Sequence, residues 1–82
     1  MRIIDERFTY IGENLKLIVV SEYSNDKDFE NNIGYIIEVY LEDTKLNTQI
    51  DLTERSIFWD RLSDEIVHTM KYGCEGEVKY EE

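Results

Sequence analysis

From Tyr35 to Glu42 the chain alternates, with Tyr35, Ile37, Val39 and Leu41 on one side and Ile36, Glu38, Tyr40 and Glu42 on the other. Successive side chains of a strand point to opposite faces, so a period of two predicts a half-buried strand. Leu15 to Tyr23 is also β-rich, with Leu15, Leu17 and Val19 on one face and Lys16, Ile18, Val20 and Glu22 on the other, a second face that is only partly polar. Thr48 to Thr53 sets Ile50 and Leu52 opposite Gln49 and Asp51, and Arg7 to Ile11 ahead of Gly12-Glu13-Asn14 reads as a first strand turning into the second. Short consecutive strands joined by turns favour an antiparallel meander.

After Thr53 the period lengthens to that of a helix: Phe58, Leu62, Ile66 and Met70 recur at every fourth position, flanked by Trp59 and Val67. Thr53 is suited to cap its start, with Glu54 in the first turn, and Lys71 and Gly73 mark its end. The outward residues Asp60, Arg61, Asp64, Glu65 and His68 give a repulsive Asp60–Asp64 and an attractive Arg61–Glu65 pair, which largely cancel. Beyond the helix, Glu77-Val78-Lys79-Tyr80 alternates briefly, which fits either a short C-terminal edge strand or a loose tail. The expectation is a single α+β domain over residues 1–82: a four-stranded antiparallel meander with one C-terminal helix packed on one face, in order ββββα. Its uncovered face would carry Ile18, Val20, Ile36 and Tyr40 among Lys16, Glu22, Glu38 and Glu42, a mixture that suits contact with another chain as well as water.

Composition narrows the class. With 41% hydrophobic residues in periodic blocks, the chain is too apolar for a disordered acidic tail. The single cysteine, Cys74, cannot form an internal disulfide, which fits a reducing compartment. The N-terminus turns acidic within a few residues and so lacks the apolar run of a signal peptide, and no stretch approaches the roughly 20 apolar residues of a membrane span. A cytoplasmic protein is expected.

Charge adds the strongest functional hint. The chain carries a formal net charge of −10, unevenly placed. Acids and bases balance over residues 1–20, whereas residues 21–54 hold nine acids against Lys27 and Lys45, and residues 55–82 add a smaller excess. Such a field repels nucleic acid and anionic membrane and attracts a basic protein surface, over a screening length of about 8 Å at physiological salt.

Groups for catalysis are few. His68 is the only histidine and falls on the outward half of the helix; Cys74 sits beside Glu75 and after the negative end of the helix, which disfavours a thiolate. One Cys and one His cannot build a structural zinc site of the usual type within one chain. In the loop after Tyr23, Asp26, Asp28 and Glu30 alternate like the first half of a calcium loop, but Asn31 and Ile37 stand where glycine and glutamate are required, so a polar hairpin loop is the better reading. The scattered glycines form no phosphate loop. No catalytic residue, metal or cofactor is expected, and no direct contact with nucleic acid.

The expected contact surface is Glu22, Glu38 and Glu42 on neighbouring strands, Asp26, Asp28, Glu30 and Asp43 at their ends, and Tyr40 between the glutamates as a central aromatic anchor. In size, charge and lack of catalytic groups the chain resembles the small acidic inhibitors of phages and mobile elements, including nucleic-acid mimics and anti-CRISPR proteins. That resemblance rests on no motif and carries over no residue; it implies a partner that is basic, such as a nucleic-acid-handling enzyme. The alternative expectation is a small structural subunit or homo-oligomer, such as a homodimer, associating through the open sheet face at Ile18, Val20, Ile36 and Tyr40.

Overall fold

A computed structural model describes the backbone of residues 1–82 and every side chain except those of Ser56 and Phe58, so the expected inward position of Phe58 lies outside the described side chains. The elements run β1 (Arg2–Gly12), β2 (Leu15–Tyr23), α1 (Asp26–Glu30), β3 (Tyr35–Asp43), β4 (Thr48–Asp51), α2 (Ser56–Tyr72) and β5 (Cys74–Glu81). All strand pairs are antiparallel, and one open sheet has the order β4-β3-β2-β1-β5. The α+β meander with a C-terminal helix is therefore as expected. The C-terminal segment is a strand rather than a tail, paired along β1 from Arg2↔Glu81 to Phe8↔Cys74.

Helix α2 lies chiefly over β1 and β2. Ile66 and Met70 from the helix meet Ile3, Leu17, Val19, Tyr23 and Val39 from the sheet, with Leu52 closing the end and Leu62 and Trp59 at the margin. Val67 is 44% exposed and stands outside this core. The helix passes straight into β5 at Gly73. A Cβ there would lie 2.6 Å from the Thr69 carbonyl and 3.0 Å from that of Phe8, so glycine is required for close approach of the backbones.

Several boundaries differ from expectation for local reasons. Strand β1 begins at Arg2, not Arg7, because Asp5 and Arg7 occupy inward positions that interrupt the apolar alternation. Arg7 Nε donates to Asp5 Oδ2 at 2.8 Å, and the Asp5 side chain is only 1% exposed. Arg7 also donates to the Lys71 carbonyl at 3.3 Å, at the negative end of α2. The chain after Tyr23 is not a plain loop: Asn25 accepts the Asp28 N–H at 2.8 Å and starts α1, which seats Phe29 against Tyr23 with ring centroids 5.1 Å apart. Helix α2 begins at Ser56, with no acid in its first turn. Thr53 does not cap it; its hydroxyl accepts the Val39 N–H at 3.1 Å, while the Trp59 indole donates to the carbonyls of Leu52 and Thr53. The chain is thus held to β3 for longer before the helix starts.

The most consequential difference is a bulge in β3. Val20 pairs with Glu38 but Ser21 pairs with Ile36, leaving Ile37 as an extra residue. Because side chains alternate, the insertion reverses the facing of the first part of the strand. Ile36 turns inward and packs against the core, whereas Ile37 joins the open face beside Val20 and Glu38. The expected placement of Ile36 outward and Ile37 inward is corrected accordingly.

Candidate functional site

The face of the sheet opposite α2 is the site the fold leaves open, and the strand register sets its side chains in rows. Toward the hairpin end lie Tyr10, Lys16, Glu42 and Gln49; next come Phe8, Ile18, Tyr40 and Asp51; then Glu6, Val20 and Glu38; then Lys79, Ile4, Glu22 and Tyr35. Ile18 and Val20 on the central strand are only 8% and 7% exposed although no helix covers them, since the flanking side chains fold over them. The face is an apolar centre hidden under a polar and acidic cover.

The carboxylates of that cover fall into two groups. Toward the margins they are paired: Arg2 Nε lies 3.3 Å from both Glu22 and Glu81, Lys16 Nζ lies 3.8 Å from Glu42, and Lys79 Nζ lies 3.8 Å from Glu77. Lys16 also sits 4.0 Å over the Phe8 ring. At the centre, Glu6, Glu38 and Asp51 have no cation within 4.0 Å among the described residues. Glu6 and Glu38 flank Val20 across β2, with Cα atoms about 10 Å apart by two strand spacings. Gly76 lets Glu6 lie against β5, because a Cβ there would stand 2.9 Å from the Glu6 carboxylate.

Tyr40 registers the resulting potential. Its hydroxyl donates to Glu38 Oε2 at 2.9 Å. That bond, burial, and the charges of Glu38, Asp51 and Glu6 all oppose a phenolate, so its pKa is pushed up to about 12. The same bond fixes the direction of the Glu38 carboxylate. Asp51 is held below the ordinary carboxyl value by the Thr53 hydroxyl, by the Thr53 N–H, which donates at 2.9 Å, and by the charge of Arg55, which lines the same cavity. It remains a carboxylate over the neutral range.

The expected contact residues do not converge on one spot. Glu22, Glu38, Tyr40 and Glu42 share the open face, but Glu22 and Glu42 are paired with Arg2 and Lys16. Asp26, Asp28 and Glu30 belong to α1 at one end of the sheet, while Asp43 at the other end accepts the N–H groups of Lys45 and Leu46 at 3.0 Å and shapes the β3–β4 turn. A nine-residue strand spans about 26 to 30 Å, some three screening lengths, so the two ends act independently. Sequence reasoning missed Glu6, which becomes an outward residue only once β1 extends to Arg2. It also left Asp51 unconnected to Tyr40, a pairing fixed by the β3–β4 register alone.

Other features of the surface offer less chemistry. His68 is exposed on α2, its ring 5.4 Å from that of Tyr72, and Cys74 is exposed opposite Phe8 at the edge of the sheet. Among the described residues no group of three or more His, Cys, Asp or Glu side chains is placed to hold a metal ion. Among the described residues no helix is long and apolar enough to cross a membrane. Comparison with protein families, with curated proteins and with solved structures finds no match to this chain.

Proposed function

We propose that the chain is a non-enzymatic cytoplasmic binding protein whose open sheet face engages a basic protein surface, as an inhibitor of a nucleic-acid-handling enzyme of the kind phages and mobile elements direct at host defence. The observation that supports it is the group Glu6, Glu38 and Asp51 around Tyr40, without a cation within 4.0 Å among the described residues, on the sheet face opposite α2. A lysine or arginine of the partner would gain a carboxylate without breaking an ion pair closer than 4.0 Å, although Arg55 stands near Asp51, and Tyr40 offers a rigid aromatic body with a polar tip at the centre. Marginal pairs such as Arg2–Glu22 would compete with the partner and contribute less. Duplex DNA carries a charge about every 1.7 Å of its axis, so this face stands in for a few phosphates rather than for a length of duplex.

The homodimer reading has less in its favour. Ile18 and Val20 are already shielded and Ile36 faces the core, so two such faces would bury little new apolar surface while bringing two acidic centres together.

The test is retention of partners from an extract of the native host on the immobilised protein, comparing the wild type with a Glu6→Lys, Glu38→Lys variant. A specific partner should bind the wild type at low salt, be released as salt rises several-fold, and be lost from the variant while its fold, read by circular dichroism, is unchanged. A partner retained equally by both proteins and insensitive to salt overturns the proposal.

A further inference from the structure

Strand β5 closes one side of the sheet and has no strand beyond it. Its eight residues, about 26 Å of extended backbone, leave one row of N–H and C=O groups unpaired, which is the template for strand addition. The side chains of β5 define what strand would fit. On the open face Glu77, Lys79 and Glu81 follow at alternate positions, Glu77 bridged to Lys79 and Glu81 to Arg2 through exposed pairs of low worth. On the helix side, Val78 is partly buried against the core and Tyr80 is 62% exposed, since α2 lies chiefly over β1 and β2. The register shifts by one residue between Glu75 and Val78, where Gly76 and Glu77 together oppose Glu6, so the regular stretch of the edge is Val78 to Glu81 with Glu77 at its margin.

We infer that β5 accepts, as a sixth strand, an extended basic segment of another protein with the pattern basic, apolar, polar, apolar, basic. The basic residues would lie beside Glu77 and Glu81, the polar one beside Lys79, and the apolar ones beside Val78 and Tyr80, because neighbours on paired strands share a face. The pattern reads the same in both directions, so parallel and antiparallel addition make the same demand. Charge selects this occupant over a second copy, since each copy carries −10 and would bring Glu75, Glu77 and Glu81 to an edge that already holds them. The contact adjoins Glu6 but uses the outer edge of β5, and it does not rest on the reading of the Glu6, Glu38 and Asp51 centre.

The experiment titrates the isotopically labelled protein with a capped peptide Thr-Lys-Val-Ser-Val-Lys-Thr and follows backbone amide shifts and exchange. The expected result is saturable shifts and slowed exchange confined to Cys74–Glu81 and its neighbours on β1. Methylating the nitrogens of the first valine and of the central serine, which keeps the peptide's charge and removes donors from both edges, should weaken binding by about tenfold or more. The pair Glu77→Gln and Glu81→Gln should weaken it by about fivefold, whereas Glu38→Lys should leave it within about twofold. The inference is overturned if no saturable shift occurs, if the methylated peptide binds equally well, or if the shifts centre on Glu38, Tyr40 and Asp51 of β3 and β4. It is also overturned if the protein alone sediments as a dimer with its β5 amides already protected.

Discussion

Replacing Asp5 by asparagine tests how the sheet and the helix are tied together. The Asp5 side chain is 1% exposed and its Oδ2 accepts from Arg7 Nε at 2.8 Å, while its Oδ1 has no hydrogen-bond partner. Arg7 in turn donates to the Lys71 carbonyl at 3.3 Å and lies 3.9 Å from Glu75, so one guanidinium joins β1, the end of α2 and the start of β5. Asparagine keeps the volume and removes the charge, so no cavity term enters. Breaking a buried ion pair by loss of one partner costs about 3 to 5 kcal/mol. Arg7 is 17% exposed and keeps Lys71 and Glu75, which lowers the expected loss to about 2 kcal/mol. With a urea slope of about 1 to 1.5 kcal/mol/M for a chain of this size, the unfolding midpoint should fall by about 1.3 to 2 M with the slope unchanged. Replacing both partners by apolar residues, Asp5→Leu with Arg7→Met, should be less damaging than Asp5→Leu alone, because the stranded cation is what destabilises. A midpoint shift below about 0.5 M for Asp5→Asn, or a double variant worse than either single one, would refute this reasoning.

Tyrosinate absorbance should show a late titration at about 12 that is lost in Tyr40→Phe and moved toward the ordinary value near 10 in Glu38→Gln, while Tyr23, raised by burial and by the charge of Asp5, still titrates late in both variants. The stability Tyr40 contributes through its raised pKa is complete below about pH 10 and lost as pH rises through 12. Tyr23→Phe should hold or raise the urea midpoint, since the Tyr23 hydroxyl is buried without a hydrogen-bond partner; a clear fall would mean that a bond exists. Leu17→Ala, at a position with no exposure, should cost about 2 to 4 kcal/mol by denaturation, and Leu62→Ala, partly buried at the core margin, about half that. Gly34→Ala should destabilise by about 1 to 3 kcal/mol, because the new Cβ would lie 2.5 Å from the Glu22 carbonyl and 2.6 Å from the Tyr23 ring; an unchanged midpoint would show that the β2–β3 connection yields freely.

The fold was legible where local pattern and tertiary role agree. Leu17, Val19 and Val39 alternate because one face is buried, and Leu62, Ile66 and Met70 recur at helical spacing for the same reason. It was illegible where a residue's role depends on a partner distant in sequence. Asp5 and Arg7 read as surface charges until Lys71 and Glu75 are brought beside Arg7, and their inward placement hid the first half of β1. The bulge at Ile37 leaves no mark in a run of three apolar residues, Tyr35 to Ile37 being followed by regular alternation, so the facing of Ile36 was inverted. Thr53 carries an ordinary capping signal but is taken by Val39, and the helix starts later. The site failed in the same way: counting acids along the chain singled out its middle, but Glu6 and Asp51 meet Glu38 and Tyr40 only through strand pairing.

Net charge alone overstates how much of this surface is available to a partner. Of the carboxylates on the open face, those at the margins are matched by Arg2, Lys16 and Lys79, and at distances beyond about 8 Å their fields are screened to near neutrality. What persists at short range is the centre, whose carboxylates have no cation within 4.0 Å among the described residues and where the Tyr40 phenol resists ionisation. A surface whose acids were uniformly unpaired would bind any polycation; one that is paired at the rim and unpaired at the centre favours a partner that places a cation there and nowhere else. It follows that Glu38→Gln should reduce affinity for the partner more than Glu42→Gln or Glu22→Gln, although all remove one charge from the same face. Equal losses for these variants, measured at the same salt, would show that total charge governs binding and that the pairing seen on the sheet has no bearing on it.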